Sequence, residues 1–264
     1  MINLSRNFVI TGDDFEEAVP CSATGDNAGN GVATSCTDGL HTVVFGSGTY
    51  RLRYARVERC GQRGRLGRYC AHTHVLGDCP NCLFEGNAFE FGVQRALVLH
   101  GTHRAVAAHN VVSDVRGAGL YLEDGNEVDN ALLHNVVLCP WPLEGPKGGC
   151  TVPGTDNTDA DTANNQAGLW SLGSANHLVG NRFANSFNGW FLQSTFASGG
   201  RGHAAGQLCV ASQLFGRLEG NTAHGHGRFG TYLLGPNFPR PTRQSVATNG
   251  HQDLALCGGF DAAG

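Results

Sequence analysis

The sequence predicts an all-β protein that folds as a right-handed, single-stranded parallel β-helix, with an N-terminal β extension and a C-terminal cap. Three observations support this fold class. Glycine accounts for 39 of 264 residues, and long amphipathic helical periods are absent, which is typical of short strands joined by tight turns. Several short apolar runs that end in a polar side chain can be aligned with one another. Asparagines followed by small or apolar residues recur at Asn87, Asn110, Asn135, Asn181 and Asn221.

The intervals between these asparagines indicate one repeat per coil. They are 23, 25, 46 and 40 residues, and the third, twice the first, contains the polar stretch 153–161, which we interpret as an insertion. A period of this length is too short for two-helix repeats but suits three short strands per coil. Stacked asparagines at a bend can adopt the left-handed backbone conformation and bond to each other. We therefore expect all five to be structural.

The chain is interpreted as one domain with three parts. Residues 1–57 contain strand-like runs and form either the end of a preceding glycine-rich β domain or the first coils. Residues 58–235 form the parallel β-helix. Three prolines then interrupt strand pairing, so residues 236–264 are expected to form a C-terminal cap or tail.

Charge and hydropathy exclude two kinds of partner. The net charge is −4, so no general basic surface favours nucleic acid. No apolar run approaches the roughly 18 residues that a membrane span needs, so we expect no membrane insertion by this chain. Its first residues lack the apolar core of a signal peptide, and any secretion signal is expected to lie outside this chain.

The cysteines favour an oxidising compartment. There are ten, an even number typical of disulfide-bonded extracellular proteins. Cys139 and Cys150 are predicted to close a loop at the insertion. Cys79 and Cys82 have the spacing of redox and zinc sites, but no second such pair accompanies them, so a disulfide or structural role is favoured over metal binding or redox catalysis.

One column of side chains carries the candidate chemistry. Side chains alternate between the two faces of a strand, so an inward Leu99 requires an outward His100. Coils stack about 4.8 Å apart, which aligns His74, His100 and Glu123 in one outward column that Gln193 continues some coils later. These three residues are the catalytic candidates.

The column has three possible explanations. Two of them make it a functional site, and the third makes it a structural feature. Two histidines and a carboxylate can bind a divalent metal ion as a facial set, and His74, His100 and Glu123 are therefore also the metal-ligand candidates. Without a metal, the same side chains can act as acid and base near neutral pH. The structural explanation is a solvated polar ladder on the surface, and a functional role is favoured over it.

Residues around the column are candidates for substrate binding. Arginine forks suit the carboxylates of an acidic sugar chain, although each arginine taken alone is also explained as an ordinary surface charge. The substrate-binding candidates are Arg63, Arg65, Arg68, His72, Arg95, His103, Tyr121, Asp124 and Gln193.

Several segments between Gly61 and Gly125 form a distinctive set of motifs. They are 61–69, His72-Thr-His74, Gly77-Asp78, 94–96, His100-Gly-Thr-His103 and 122–125. Through them the chain resembles a known family, the β-helix region shared by the cell-migration-inducing hyaluronan-binding protein, the cell-surface transmembrane hyaluronidase and the fibrocystin-like proteins. The resemblance extends over about residues 1–235. It implies a right-handed β-helix, an extracellular or cell-surface setting, and hyaluronan binding or depolymerisation in some members.

These observations lead to three hypotheses about function. In the first, the protein is an enzyme that cleaves an acidic or neutral extracellular polysaccharide, such as a hyaluronan-like chain, by hydrolysis or elimination. In the second, it is a non-catalytic glycan-binding or adhesion module of a larger cell-surface protein. In the third, it is a structural spacer, which leaves the column without a role.

Overall fold

A computed structural model describes residues 8–13, 36–62, 65, 67–139, 167–193 and 215–234. Every helix or strand assigned in these ranges is a β-strand, and most strands have three to six residues. In chain order, the strands are β1 (Phe8–Thr11), β2 (Val43–Phe45), β3 (Arg51–Arg53), β4 (Ala55–Glu58), β5 (Ala71–Asp78), β6 (Leu83–Glu85), β7 (Ala88–Gly92), β8 (Leu97–His103), β9 (Val106–Ala108), β10 (Val111–Val115), β11 (Leu120–Leu122), β12 (Ala131–Leu133), β13 (Val136–Leu138), β14 (Ala167–Ser171), β15 (His177–Val179), β16 (Arg182–Ala184), β17 (Asn188–Gln193), β18 (Leu218–Glu219), β19 (Thr222–His224) and β20 (Phe229–Leu234).

The strands form three parallel sheets. Sheet 1 has the order β1-β4-β7-β10-β13-β16-β19, sheet 2 the order β2-β5-β8-β11-β14-β17-β20, and sheet 3 the order β3-β6-β9-β12-β15-β18. The chain visits sheets 1, 2 and 3 in this order in every coil, and each strand pairs with its counterpart one coil away. This architecture is a right-handed parallel β-helix, which confirms the predicted fold class.

The first of the three proposed parts contains strands of the β-helix. β1 to β3 lie within residues 1–57 and are the first strands of the same three sheets. The boundaries between the parts stay a prediction. Residues 236–264, the proposed cap, lie outside the described residues. In the part of the chain that the structure describes, no helix is long and apolar enough to cross a membrane.

The inner faces of the sheets form the core. Leu97 and Leu99 of β8 align with Leu120 and Leu122 of β11, and all four are at most 1% exposed. Each buried leucine contributes roughly 1.5–3 kcal/mol relative to an exposed one. The inward direction of these leucines, on which the outward column was based, is confirmed.

The predicted asparagine ladder is present between sheets 3 and 1. The side-chain amide of Asn87 donates to Asn110 Oδ1 at 2.9 Å, and Asn110 donates to Asn135 Oδ1 at 2.9 Å. Asn181 and Asn221 continue the ladder in the same way, with distances of 3.0 and 2.9 Å. Each amide also bonds to backbone groups, so buried polar groups at the bend are satisfied.

The left-handed residue of this bend was placed wrongly by the sequence analysis. It is the residue before each asparagine, and the asparagines themselves are not left-handed. Glycine meets the requirement without steric cost, and in two coils a histidine takes its place. The φ angles are 66° at Gly86, 56° at His109, 52° at His134, 65° at Gly180 and 61° at Gly220.

A second asparagine ladder, not predicted, lies between sheets 2 and 3. The amide of Asn130 donates to Asn176 Oδ1 at 3.0 Å and to the Thr102 carbonyl at 2.8 Å. Both asparagines are buried. Their separation of 46 residues equals that of Asn135 and Asn181. This equal spacing is the sequence signal from which the second ladder could have been predicted.

Disulfides close two short loops. Cys60 bonds to Cys70 and Cys79 bonds to Cys82, so the favoured disulfide role of the second pair is confirmed. Cys139 is also disulfide-bonded. Its predicted partner, Cys150, lies outside the described residues, and that pairing stays a prediction.

Candidate histidine and carboxylate site

His74 and His100 are paired on sheet 2 immediately before a β-bulge. β5 and β8 pair in register up to His74 and His100, and the register shifts between His74 and Gly77. Val75, inside the bulge, has a left-handed φ of 53°, which is rare for a β-branched residue. Bulges re-aim side chains beside functional sites. Here the Nδ1 atoms of the two histidines lie 3.0 Å apart.

Two carboxylates from the next coil flank His100. Its Nε2–H donates to Asp124 Oδ2 at 2.8 Å, and its Nδ1 lies 3.6 Å from Glu123 Oε2. The backbone N–H of Glu123 donates to the Leu99 carbonyl at 3.4 Å. The pairing of β11 with β8 therefore continues one residue beyond the end of β11. The three catalytic candidates, His74 included, are therefore brought together, and Asp124 joins them.

A buried carboxylate that the sequence analysis missed holds the turn after β11. Glu127 has no exposed surface. Its Oε1 accepts from the N–H groups of Gly101 and Asp124 at 2.8 and 3.0 Å, and its Oε2 accepts from Gly125 N–H at 2.8 Å. These bonds tie the turn that carries the two flanking carboxylates to β8. Nothing in the polar segment 124–130 distinguished Glu127 from a surface residue.

His72 lies against the same cluster and is 3% exposed. Its Nδ1–H donates to the Gly67 carbonyl at 3.1 Å, while its buried Nε2 has no hydrogen-bond partner. Its ring is parallel to that of His100, with centroids 5.8 Å apart, and edge-on to that of His74 at 5.2 Å. A buried polar atom left without a partner costs roughly 1–3 kcal/mol.

Burial and neighbouring charges shift the pKa values of these groups in different directions. Burial, followed by the two neighbouring histidines, lowers the pKa of His72 to about 3. Burial also lowers the pKa of His100, but the hydrogen bond to Asp124 and the charge of Glu123 raise it to about 9. Burial raises the pKa of Glu127 to about 7, although the backbone hydrogen bonds that it accepts act to lower this pKa. These shifts favour a neutral His72 and a charged His100 at neutral pH.

Arg95 and Tyr121 do not lie where a substrate would meet them. Arg95 has no exposed surface; its Nη1 donates to Tyr69 Oη at 2.6 Å, and its guanidinium lies 4.0 Å from the centre of the Tyr121 ring. Tyr121 stacks on Trp170 with centroids 4.5 Å apart. The expectation that Arg95 lines the approach to the column is wrong, because the outward face of β11 and β14 is a buried aromatic cluster.

The other arginines lie in the disulfide-closed loop 61–69. Arg65 pairs with an aspartate carboxylate at 2.7 Å. Arg68 is exposed, and it is next to Gly67, whose carbonyl bonds to the histidine cluster. The backbone of Arg68 therefore lies near the cluster, and its guanidinium Nη1 donates to His41 Nε2 at 2.7 Å. Arg63 lies outside the described residues.

The remaining candidates lie at strand ends on sheet 2. His103 ends β8, and its Nδ1 accepts from the Val128 N–H at 3.3 Å. This contact ties His103 to the following turn. The strand register places Gln193 on the backbone row of Glu123, two coils further along.

The cluster can offer three nitrogens to one ion. One ring nitrogen from each of His72, His74 and His100 lies within 4.8 Å of the other two. Free thiols are absent from the described part of the chain. Imidazole ligands suit zinc and the neighbouring transition metals. Chemically, the arrangement can hold such an ion or, without one, exchange protons between His74 and the His100–Asp124 pair.

The chain is similar to several large proteins. It is 26% identical to human Fibrocystin-L over 269 residues, which is 93% of this chain and 6% of that protein. It is 29% identical over 223 residues to a G8 domain-containing protein of Dictyostelium discoideum, with 81% of this chain and 16% of that protein covered. Protein rliB of the same organism is 25% identical over 204 residues, with 75% and 18% covered. The chain thus spans a small part of each relative.

A family model covers most of the chain and agrees with the architecture. The CEMIP beta-helix model matches residues 37–231. That range contains β2 to β19 entirely, together with the histidine cluster and both asparagine ladders. The chain therefore belongs to the CEMIP beta-helix family.

Proposed function

We propose that this chain is a carbohydrate-active β-helix of an extracellular or cell-surface protein, which binds a polysaccharide at the histidine cluster and cleaves it there. The observation that carries the proposal is the convergence of His74, His100 and Glu123 at one edge of sheet 2. His74 and Glu123 are partly exposed, so a substrate can reach them. The family membership and the resemblance to proteins that act on hyaluronan support a polysaccharide as the substrate.

The disulfides support the extracellular setting. Cys60–Cys70 and Cys79–Cys82 are both formed, and disulfides persist in oxidising compartments and are rare in the cytosol. The first of these bonds closes the loop whose Gly67 carbonyl fixes the ring of His72. An oxidising environment therefore also maintains the geometry of the proposed site.

The cluster contains the groups that polysaccharide cleavage needs. Hydrolysis and elimination both require a proton donor for the leaving oxygen and a base for water or for a carbon-bound proton. His100 is oriented by Asp124, and its second nitrogen faces His74, so these residues can pass a proton to the exposed edge. Glu123 supplies a carboxylate beside the same nitrogen.

The nearby basic loop favours an acidic polysaccharide. Arg65 is paired with an aspartate carboxylate, whereas Arg68 is exposed and its Nη1 donates to the ring nitrogen Nε2 of His41 at 2.7 Å, which leaves other donors of the guanidinium available. A guanidinium can hold a sugar carboxylate through two parallel hydrogen bonds. We therefore assign Arg68 the role of holding the chain, and neutral glycans are expected to be weaker substrates.

A panel of glycans tests this function. The disulfide-bonded protein is incubated with acidic polysaccharides, hyaluronan among them, and with neutral ones, and both reducing ends and the ultraviolet absorbance of unsaturated products are measured. New reducing ends from an acidic glycan are expected. Absorbance in addition assigns elimination, and its absence assigns hydrolysis. If no glycan yields reducing ends, the cleavage part of the proposal is wrong.

A non-catalytic glycan-binding module is the second candidate. The observation that favours it is the limited access to the cluster, since His72 and His100 are 3% and 8% exposed. A module that only binds would retain glycans on the protein in a binding assay and produce no reducing ends. Binding without cleavage across the panel would therefore assign this second function.

A further inference from the structure

We propose that His72, His74 and His100 form a binding site for a divalent transition metal of the zinc class. The inference deepens the proposed function, because the ion would lie in the cluster to which cleavage is assigned. It also changes the ligand set expected from the sequence, since His72 takes the place of Glu123 as the third ligand. Its test depends on bound metal and not on turnover.

The strongest indication is the unused nitrogen of His72. The Nδ1–H donates to the Gly67 carbonyl at 3.1 Å, and this bond leaves the lone pair on Nε2. That nitrogen is buried and has no hydrogen-bond partner. A buried acceptor without a partner is unfavourable, and coordination of a cation supplies the missing interaction.

His100 is held as metal-bound histidines usually are. Its Nε2–H donates to Asp124 Oδ2 at 2.8 Å. Most metal ligands of this type donate their other ring N–H to a carboxylate or carbonyl, which fixes the tautomer and raises the basicity of the ligating nitrogen. Asp124 does this for His100, and the Gly67 carbonyl does it for His72. In both rings the nitrogen left for coordination belongs to the cluster.

The spacing of the nitrogens suits one small ion. The Nδ1 atoms of His74 and His100 lie 3.0 Å apart, and a tetrahedral zinc with bonds of 2.0–2.1 Å holds its nitrogens about 3.3 Å apart. A ring nitrogen of His72 is within 4.8 Å of both. Small side-chain rotations are sufficient to bring the three onto one ion.

Three protein nitrogens leave a coordination position open. Catalytic zinc sites have this form, with water or substrate as the fourth ligand, whereas structural sites use four protein ligands. Glu123 Oε2 lies 3.6 Å from the His100 nitrogen. It is therefore placed to accept a hydrogen bond from a molecule in the fourth position, and its carboxylate offsets part of the charge of the cation.

Metal content after chelation and reloading tests the site. Protein without a histidine tag and with its disulfides intact is dialysed against a chelator and then against Zn²⁺, and bound zinc is measured by mass spectrometry after gel filtration. One zinc per chain is expected in the wild type. Cobalt is loaded in parallel, because a tetrahedral nitrogen site gives it intense visible absorption bands. Wild-type protein that retains no zinc would overturn the proposal.

Variants assign the zinc to these residues. His74 is the most exposed of the three histidines. The variant His74→Ala is therefore expected to lose the zinc and the cobalt bands while its far-ultraviolet circular dichroism stays unchanged. The matched control is His134→Asn, which removes one ring of the exposed pair His109 and His134, whose centroids are 5.2 Å apart. The control should retain one zinc. If it loses zinc and His74→Ala keeps it, the proposed site is wrong.

A conservative substitution of Asp124 tests its effect on zinc binding without removing the side chain. Asp124→Asn keeps the shape of the partner of His100 but removes its charge, so zinc affinity should fall by about 10- to 100-fold, the usual effect of losing such a partner. Unchanged affinity would contradict the role of Asp124. Zinc bound without any glycan cleavage would leave the metal site standing and remove the cleavage function. Cleavage by wild-type protein that retains no zinc after reloading would leave the cleavage function standing and remove the metal site.

Discussion

The Nδ1 atoms of His74 and His100 are 3.0 Å apart although the residues are separated by 26 positions in the chain. The contact exists because β5 and β8 keep their register up to this pair and then shift at a bulge. The bulge closes around Gly101, where an added Cβ would lie 3.2 Å from Val75 Cα. The geometry of the site therefore depends on two backbone positions that carry no chemistry.

Gly101→Ala is expected to destabilise the protein through this bulge. Gly101 has a left-handed φ of 51°, and a non-glycine residue there costs roughly 1–2 kcal/mol, in addition to the close contact with Val75. The free energy of unfolding, measured by denaturant titration, should fall by more than in the control Gly77→Ala. Gly77 is also left-handed, with a φ of 66°, but an added Cβ would meet nothing within 4 Å. Equal losses would refute the role of the contact.

Asn110→Ala tests the main asparagine ladder. The substitution leaves the Asn87 N–H without its acceptor and the Phe84 carbonyl without its donor, both in the buried interior. Each such loss costs roughly 1–3 kcal/mol, so we expect a decrease of about 2–4 kcal/mol in the free energy of unfolding. Asn221→Ala is the control, because Asn221 is only half-buried and lies at the end of the described ladder. A larger loss at Asn221 would contradict this account.

Much of the fold follows from the sequence. The recurrence of Gly-Asn and His-Asn pairs identified the coil and its bend, and the alternation in Leu97-Val-Leu99 identified the inner face. These signals are visible because each repeat must bury the same positions. The left-handed residue was misplaced, since a histidine at that position gives no backbone signal of its own.

The site was only partly accessible to sequence reasoning. Strand alternation and coil spacing aligned His74, His100 and Glu123, because the same register governs the leucines beside them. The burial of Arg95 and the hydrogen bonds of Glu127 were not foreseen. Arg95 is enclosed by tyrosine side chains of neighbouring coils, and Glu127 bonds to backbone N–H groups of its own turn and of the preceding coil. A charged residue in the sequence is most often exposed, so neither environment could be read from the sequence.

Glu127→Gln tests the carboxylate that holds the turn after β11. The amide cannot accept at both of its ends, so one of the three backbone N–H donors loses its acceptor, at a cost of about 1–3 kcal/mol. The native pKa of Glu127, about 7, lies above that of an unfolded glutamate, about 4.3. Between these values the native protein binds more protons than the unfolded chain, so this group lowers stability as pH rises.

The difference in stability between wild type and Glu127→Gln should therefore narrow as the pH rises from 5 to 8, because only the wild type carries this titration. Urea unfolding at several pH values measures the difference. A difference that stays constant over the same range would show that the carboxylate is ionised in the native state throughout, and it would contradict this prediction.

Arg95→Lys tests the buried cation between the tyrosine rings. Lysine keeps the charge but loses both the bond to Tyr69 Oη and the planar stacking over Tyr121. Leaving a buried charge without its partners typically costs about 3–5 kcal/mol, and a large decrease in melting temperature is expected. Arg68→Lys, at an exposed position, should leave the melting temperature nearly unchanged. A stable Arg95→Lys protein would contradict the enclosure of Arg95.

The most direct measurement of the central claim is the rate of cleavage of the best acidic glycan by His74→Ala, compared with wild type and with His224→Ala. The variant histidine lies in the cluster, whereas His224 is exposed at the end of β19 on another sheet. Loss of one catalytic acid or base typically lowers the rate by about 10²- to 10⁴-fold, so we expect at least a hundredfold loss for His74→Ala, unchanged folding, and wild-type turnover for the control. Wild-type cleavage by folded His74→Ala would contradict the assignment of the reaction to this cluster.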